Sequence, residues 1–208
     1  MPVSTADTRT RIFLLDCLEC AAAVFRGPDA DAWTRLAGAG LPDLLDRAPA
    51  MLPHATPALR KLQSALSPMN PDLAATLETE FVRLFVAGRG GAAAPPYESC
   101  HLPSVTPRTM AAPALDMQRR LDAAGLALGL DSNEPPDHLA IELELLYHLL
   151  ASSWTQNQPG LEPQARAFAT QTLAAWLPRF ITALENGDAH PAYTAAAELA
   201  EAVAEALA

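Results

Sequence analysis

Leu139, Leu143, Leu146, Leu150 and Trp154 follow one another at steps of four, three, four and four residues. An apolar stripe with that period is one face of an α-helix, because a half-buried strand needs a period of two. Ile141, Leu145 and Leu149 cover a second face of the same segment, so this helix is apolar nearly all round and is expected to lie centrally. Leu73, Leu77, Phe81 and Leu84 repeat the pattern upstream, with Phe85 broadening the stripe. Plain core packing accounts for Phe81, Leu84 and Phe85. No alternating run demands a sheet. Half the residues are hydrophobic but only 6% are aromatic, which favours helix, since unbranched side chains lose little rotamer freedom there.

Local start and stop signals cut the chain into helices. A first helix is expected over Thr8 to Phe25, ended by Gly27-Pro28. Asp29 caps a short second one, which Gly38-Ala39-Gly40 stops, and Leu41 to Ala48 forms a third. Thr56-Pro57 and Asn70-Pro71 open the next two, and Thr106-Pro107 a further region that Pro113 interrupts and Gly125 ends. Pro136-Asp137 opens the long central helix through about Trp154. Glu162-Pro163 begins a helix that Pro178 kinks or restarts, Asn186-Gly187 stops it, and a last helix runs from Pro191. Many of the 19 prolines sit at such starts, so the count does not argue for disorder.

A net charge of −10 repels phosphate backbones and speaks against nucleic-acid binding, whereas a basic peptide is attracted. Negative charge also serves solubility alone. Cys17, Cys20 and Cys100 cannot all pair within one chain, and no signal peptide is seen at the start, so a reducing cytoplasm is expected. Cys17 and Cys20 have C-x-x-C spacing, yet they lie in a helical run with no second pair to complete a zinc site. No apolar run reaches the roughly 18 to 20 residues of a membrane-spanning helix.

Two polar turns stand out from this helical body. Residues 88–94 are small and glycine-rich and read as a flexible connection between N-terminal and C-terminal helices. Pro95-Pro96-Tyr97-Glu98-Ser99 is stiffer, because two prolines fix their own φ angles. Asp137 and His138 fall in the first turn of the long helix, where Asp137 suits the macrodipole and the free N–H groups. His138 and Glu142 are four apart on one face, and Glu144 and His148 repeat that spacing on another. A di-iron bundle needs Glu-x-x-His twice, which is not the spacing here. A zinc site has to combine distant residues such as Cys100, His101, His138 and Glu142. Ser99, Cys100, His101 and His138 hold hydrolase-type atoms without a nucleophile elbow, a phosphate loop or a dinucleotide fingerprint. No catalytic residue, metal or cofactor is therefore assigned. A binding surface remains, suited to a peptide with a basic end and an apolar stretch, in which Glu98, Asp137 and Glu142 meet arginines.

Three stretches resemble the TorD/DmsD/NarJ family of maturation chaperones for molybdenum-dependent oxidoreductases. They are Glu80-Phe81-Val82-Arg83-Leu84-Phe85, Pro95-Pro96-Tyr97-Glu98-Ser99, and Glu134-Pro135-Pro136-Asp137-His138-Leu139-Ala140-Ile141-Glu142-Leu143-Glu144. Leu177-Pro178-Arg179-Phe180 after Trp176 is similar to the family's C-terminal half. The resemblance covers about residues 70 to 205. It implies a cytoplasmic, non-catalytic chaperone that binds the twin-arginine signal peptide and the body of its client, the apo-form of a molybdopterin-dependent oxidoreductase. The client is held back from export or membrane docking until its cofactor is in place. By position, Tyr97, Glu98, Asp137 and His138 match the family's functional turns, and Glu142 joins them on helix geometry. Cys100-His101 departs from the family, standing where apolar or aromatic residues are expected.

The expected fold is all-α, one compact bundle of roughly nine to eleven helices within a single 1–208 domain. Its N-terminal helices span about 6–86, a hinge loop about 87–105, and the C-terminal helices about 106–207. A monomer and a domain-swapped homodimer both suit that hinge. The alternatives are a small metal- or cysteine-dependent enzyme using His138, Glu142 and Cys100, and a helical adaptor whose polar turns only cap helices.

Overall fold

Helix-period sequence builds helices throughout the computed structural model, which describes residues 8–86, 91–102, 112–128, 134–156 and 158–208. Among the described residues there are eleven α-helical segments and no strand. They are α1 (Thr8–Phe25), α2 (Ala30–Arg35), α3 (Leu41–Met51), α4 (Thr56–Ala65), α5 (Pro71–Phe81), α6 (Glu98–His101), α7 (Ala112–Ala123), α8 (Leu139–Thr155), α9 (Leu161–Phe168), α10 (Ala174–Asn186) and α11 (Pro191–Ala206). Two predicted caps are present: the Asp29 carboxylate accepts from Ala32 N at 2.9 Å and the Asn70 side chain from Leu73 N at 2.9 Å.

Two expected breaks, at Gly38-Ala39-Gly40 and at Pro178, do not end the helical course. Leu36–Gly40 forms a π-helical turn that leads straight from α2 into α3, instead of stopping at its glycines. Pro49 and Pro178 sit inside α3 and α10. In the second case the irregularity precedes the proline, as a π-helical turn at Ala169–Leu173. Pro113 lies in the first turn of α7, where a missing N–H costs nothing, and the region expected to precede it lies outside the described residues. The expected start at Thr106-Pro107, residues 88–90 of the glycine-rich connection, and residues 131–133 of the polar loop lie outside the described residues.

One continuous core fills the interior, and α8 runs through it with Leu139, Leu143, Leu146 and Leu150 fully buried. α1 packs against both α8 and α11, and α4 lies on α11, so helices from the two ends of the chain share this core. The C-terminal helix is rich in buried alanines, including Ala195, Ala196 and Ala197, which permit close backbone approach. Phe25, Phe85, Phe180 and Tyr193 meet edge-on or tilted with ring centroids 5.1–6.5 Å apart, tying α1 and the turn after α5 to α10 and α11. Tyr193 also donates its buried hydroxyl to Leu77 O at 2.6 Å. Cys17 and Cys20 face this core. Burial raises both thiols, Cys20 to about 12, so they stay protonated and act as small apolar groups.

Candidate functional site

The two polar turns are zipped together. Tyr97 and His138 form an isolated antiparallel bridge, in which Glu98 N donates to Asp137 O at 3.1 Å and Leu139 N to Pro96 O at 2.9 Å. Pro95 and Pro96 lack N–H groups, so this strand-like stretch pairs only through its carbonyls until Tyr97. Segments 40 residues apart in sequence thus become one surface element, with α6 leaving one end and α8 the other. Part of the supposed hinge is also fixed: Ala94 is fully buried and its N–H bonds Leu84 O at 2.9 Å.

His138, not Asp137, caps α8. Its Nδ1 accepts from Ala140 N at 3.1 Å, so Nδ1 is unprotonated and the ring is neutral. Burial pushes the imidazole below its ordinary range, against the pull of Glu134 and Asp137. Asp137 points the other way and is fully buried, its Oδ2 accepting from Ser99 N at 3.0 Å in the first turn of α6. The predicted cap thus exists, but on the neighbouring helix. Tyr97 packs edge-on against the His138 ring, centroids 5.3 Å apart, and donates its hydroxyl to Glu134 at 2.6 Å.

Glu142 is fully buried beneath this surface, where its Oε2 accepts from Trp176 Nε1 at 3.0 Å. Burial first, and then the Glu98 carboxylate, raise it well above the usual carboxylate range. Glu98 is half-buried and pushed up to about 7, by burial and then by Asp137 and Asp116, with Arg120 opposing. The remaining oxygen of Glu142, Oε1, is buried with no hydrogen-bond partner. Burial and the neighbouring carboxylate both favour the neutral, protonated form of Glu142. Asp137 and Glu142 therefore lie under the surface as supports, while Tyr97, Glu98 and the edge of His138 stand nearer to it. His101 fills an aromatic slot despite its polarity: its ring stacks on Trp176 at 5.5 Å and 19°, and its Nε2–H donates to Pro95 O at 2.7 Å.

Beside the bridge opens a cavity of about 390 Å³. Its polar rim is Glu134, His138, Glu144, His148 and Arg26, and Leu126, Ile141 and Leu145 contribute apolar wall. Glu144 and His148, four apart on α8, reach the rim as their spacing suggests. Arg26 and Trp176 join the site without any local signal, since only packing brings α1 and α10 to α8.

Comparison with known proteins adds a family to this geometry. The family model described as nitrate reductase delta subunit matches residues 49–182. The chain is 34% identical over 172 residues to the selenate reductase assembly chaperone protein of Thauera selenatis, covering 80% of this chain and 74% of that one. It is 32% identical over 169 residues to the chlorate reductase assembly chaperone protein of Ideonella dechloratans, covering 79% and 72%. To the chaperone protein TorD of Salmonella schwarzengrund it is 31% identical over 182 residues, covering 86% and 81%. A crystal structure described as a redox enzyme maturation protein, from Archaeoglobus fulgidus, superposes with a TM-score of 0.56 at 19% identity, over 88% of this chain and 90% of that one, and so shares the fold. With its bridged turns, its all-helical architecture and these matches together, this chain belongs to the nitrate reductase delta subunit family, the TorD/DmsD/NarJ group of maturation chaperones.

Proposed function

We propose that this protein is a cytoplasmic, non-catalytic chaperone that holds the apo-form of a molybdopterin-dependent oxidoreductase through its N-terminal twin-arginine signal peptide. The cavity beside the Tyr97–His138 bridge is the observation that carries this reading. It joins exposed carboxylates, Glu134 and Glu144, to an apolar wall. A peptide with paired arginines ahead of an apolar stretch complements both parts. A space of this size seats side chains of an extended segment rather than a folded element. Tyr97, Glu98 and His138 form the edge of the site, and Asp137 and Glu142 hold that edge in place from below. The names of the relatives, assembly chaperones of selenate and chlorate reductases, support a reductase client.

The alternative enzyme draws no support from its proposed residues. Glu142 is engaged by Trp176, His138 Nδ1 by the helix, and burial raises the Cys100 thiol away from the reactive thiolate.

Titration calorimetry decides the matter, using the signal peptide of a molybdoenzyme encoded near this protein and a variant with both arginines replaced by glutamine. The expected result is binding that weakens at least tenfold in the variant and falls with added salt, because exposed carboxylates are screened. Equal binding of the two peptides, or none of either, overturns the reading.

A further inference from the structure

Arg26 stands where three cavities meet. It lines the one of about 390 Å³ beside the bridge, one of about 170 Å³ between α1 and α8, and one of about 430 Å³ over α1 to α3. It follows the last residue of α1, still hydrogen-bonded to Ala22 O at 3.0 Å, and Gly27, at φ +131°, then turns the chain away. From there its Nε donates to Glu144 Oε1 at 2.5 Å. Both members of this pair line the first two cavities, so the ion pair is the partition between them. Beyond it the smaller cavity continues the same mixture, with Leu18, Leu143 and Tyr147 as apolar wall and Glu19 as a further carboxylate. Among the described residues lining these two cavities, Arg26 is the single arginine or lysine.

The pair is also built to exchange. Its side chains are 49% and 46% exposed, so water and salt screen it, and such pairs contribute little to stability. Only the Nε edge of the guanidinium is engaged, which is weaker than the two parallel bonds that a guanidinium and a carboxylate form when both are free to align. An incoming arginine that approaches Glu144 through the larger cavity can offer that two-bond arrangement.

We propose that Arg26 is a resident stand-in for a client arginine, which occupies Glu144 in the free chaperone and is displaced by the client's guanidinium. Displacement removes the partition and joins the two cavities into one trough between α1 and α8. That trough has Glu19, Glu134 and Glu144 along it and apolar walls at both ends, so the basic pair and the following apolar residues of one extended segment are seated together. The inference rests on the signal-peptide reading and adds to it the identity of the recognising carboxylate and of its competitor. It also gives specificity a physical basis. A peptide must beat a guanidinium already in place, which a neutral or singly basic segment does poorly.

The test is calorimetric titration of a synthetic peptide, two adjacent arginines ahead of an apolar stretch, into wild type, Arg26→Gln, Glu144→Gln and the double variant at low salt. Removing the competitor is expected to tighten binding by about threefold to tenfold in Arg26→Gln. The same change leaves affinity for the Gln-Gln version of the peptide unaltered. Glu144→Gln weakens binding, and Arg26→Gln brings no gain when Glu144 is already replaced. Thermal unfolding of each variant checks that the fold is kept. If wild type binds the peptide and Arg26→Gln binds it equally or more weakly, the stand-in role is overturned and the signal-peptide reading survives. If neither wild type nor Arg26→Gln distinguishes the arginine peptide from its Gln-Gln version, the signal-peptide reading fails and the stand-in role with it.

Discussion

At the scale of single residues the site is governed by carboxyl groups that were taken out of water. Glu142 has one donor, Trp176 Nε1, while its Oε1 is buried without a hydrogen-bond partner, and burial and then the Glu98 carboxylate raise it. The raised affinity of this pair for a proton has a definite sign. The folded state binds a proton that the unfolded chain releases near the ordinary glutamate range, so its contribution to stability is full below about pH 4.3 and is lost as pH rises through about 7. The buried histidines act oppositely, since burial lowers His101 and His138 and favours folding as pH rises towards about 6.5. The isosteric Glu142→Gln separates the two effects. It retains the acceptor for Trp176 and removes the carboxyl that burial and Glu98 keep from ionising. Its melting temperature is expected to match wild type near pH 4 and to exceed it by about 3–6 °C near pH 8, measured by calorimetry across that range. An offset that does not change with pH contradicts the raised Glu142. Asp137→Ala, by contrast, leaves Ser99 N without its acceptor in the interior and costs about 1–3 kcal/mol by chemical unfolding.

Among the elements, α8 carries most of the site, and its register is set by one side chain. Sequence reasoning placed the helix start at Pro136-Asp137 because Asp is a favoured capping residue and Pro a favoured first one. The start falls instead at Leu139, since residues 96–98 capture residues 137–139 in the bridge and hold Asp137 out of helical geometry. The cap then passes to His138. His138→Ala is expected to lose about 1–2 kcal/mol of stability, whereas His138→Asn, whose side-chain oxygen accepts from the same N–H, stays within about 0.5 kcal/mol. Chemical denaturation of the two variants side by side makes the comparison. If the two lose equally, packing against Tyr97 outweighs the cap. The stripe on α8 and the breadth of its apolar surface were legible, because they depend only on a period of 3.6 residues. The π-helical turns were not, since no local sequence pattern marks the shift from the α to the π hydrogen-bond register.

For the whole molecule the decisive fact is one core drawn from both ends of the chain. Phe85 lies at its centre, against Phe25, Phe180 and Tyr193. Phe85→Ala is expected to cost about 3–5 kcal/mol, and both wild type and variant should melt in one cooperative calorimetric transition, because the two helical groups have no separate interiors. Two resolved transitions in wild type contradict that account. The helix count, the central position of α8 and the packing of Phe81, Leu84 and Phe85 against the core were written into the apolar spacing and composition of the chain. Those features are local, and any helix bearing such a stripe must bury it. The two turns were also visible as stretches of unusual chemistry. Sequence alone left open that Tyr97 pairs with His138, that Asp137 serves α6, that Trp176 holds Glu142 under the surface, and that Arg26 closes on Glu144. Each of these joins residues at least 34 positions apart. Their proximity follows from how the helices pack and not from any residue's own preference, so only the tertiary structure decides which carboxylates are buried supports and which stand at the surface.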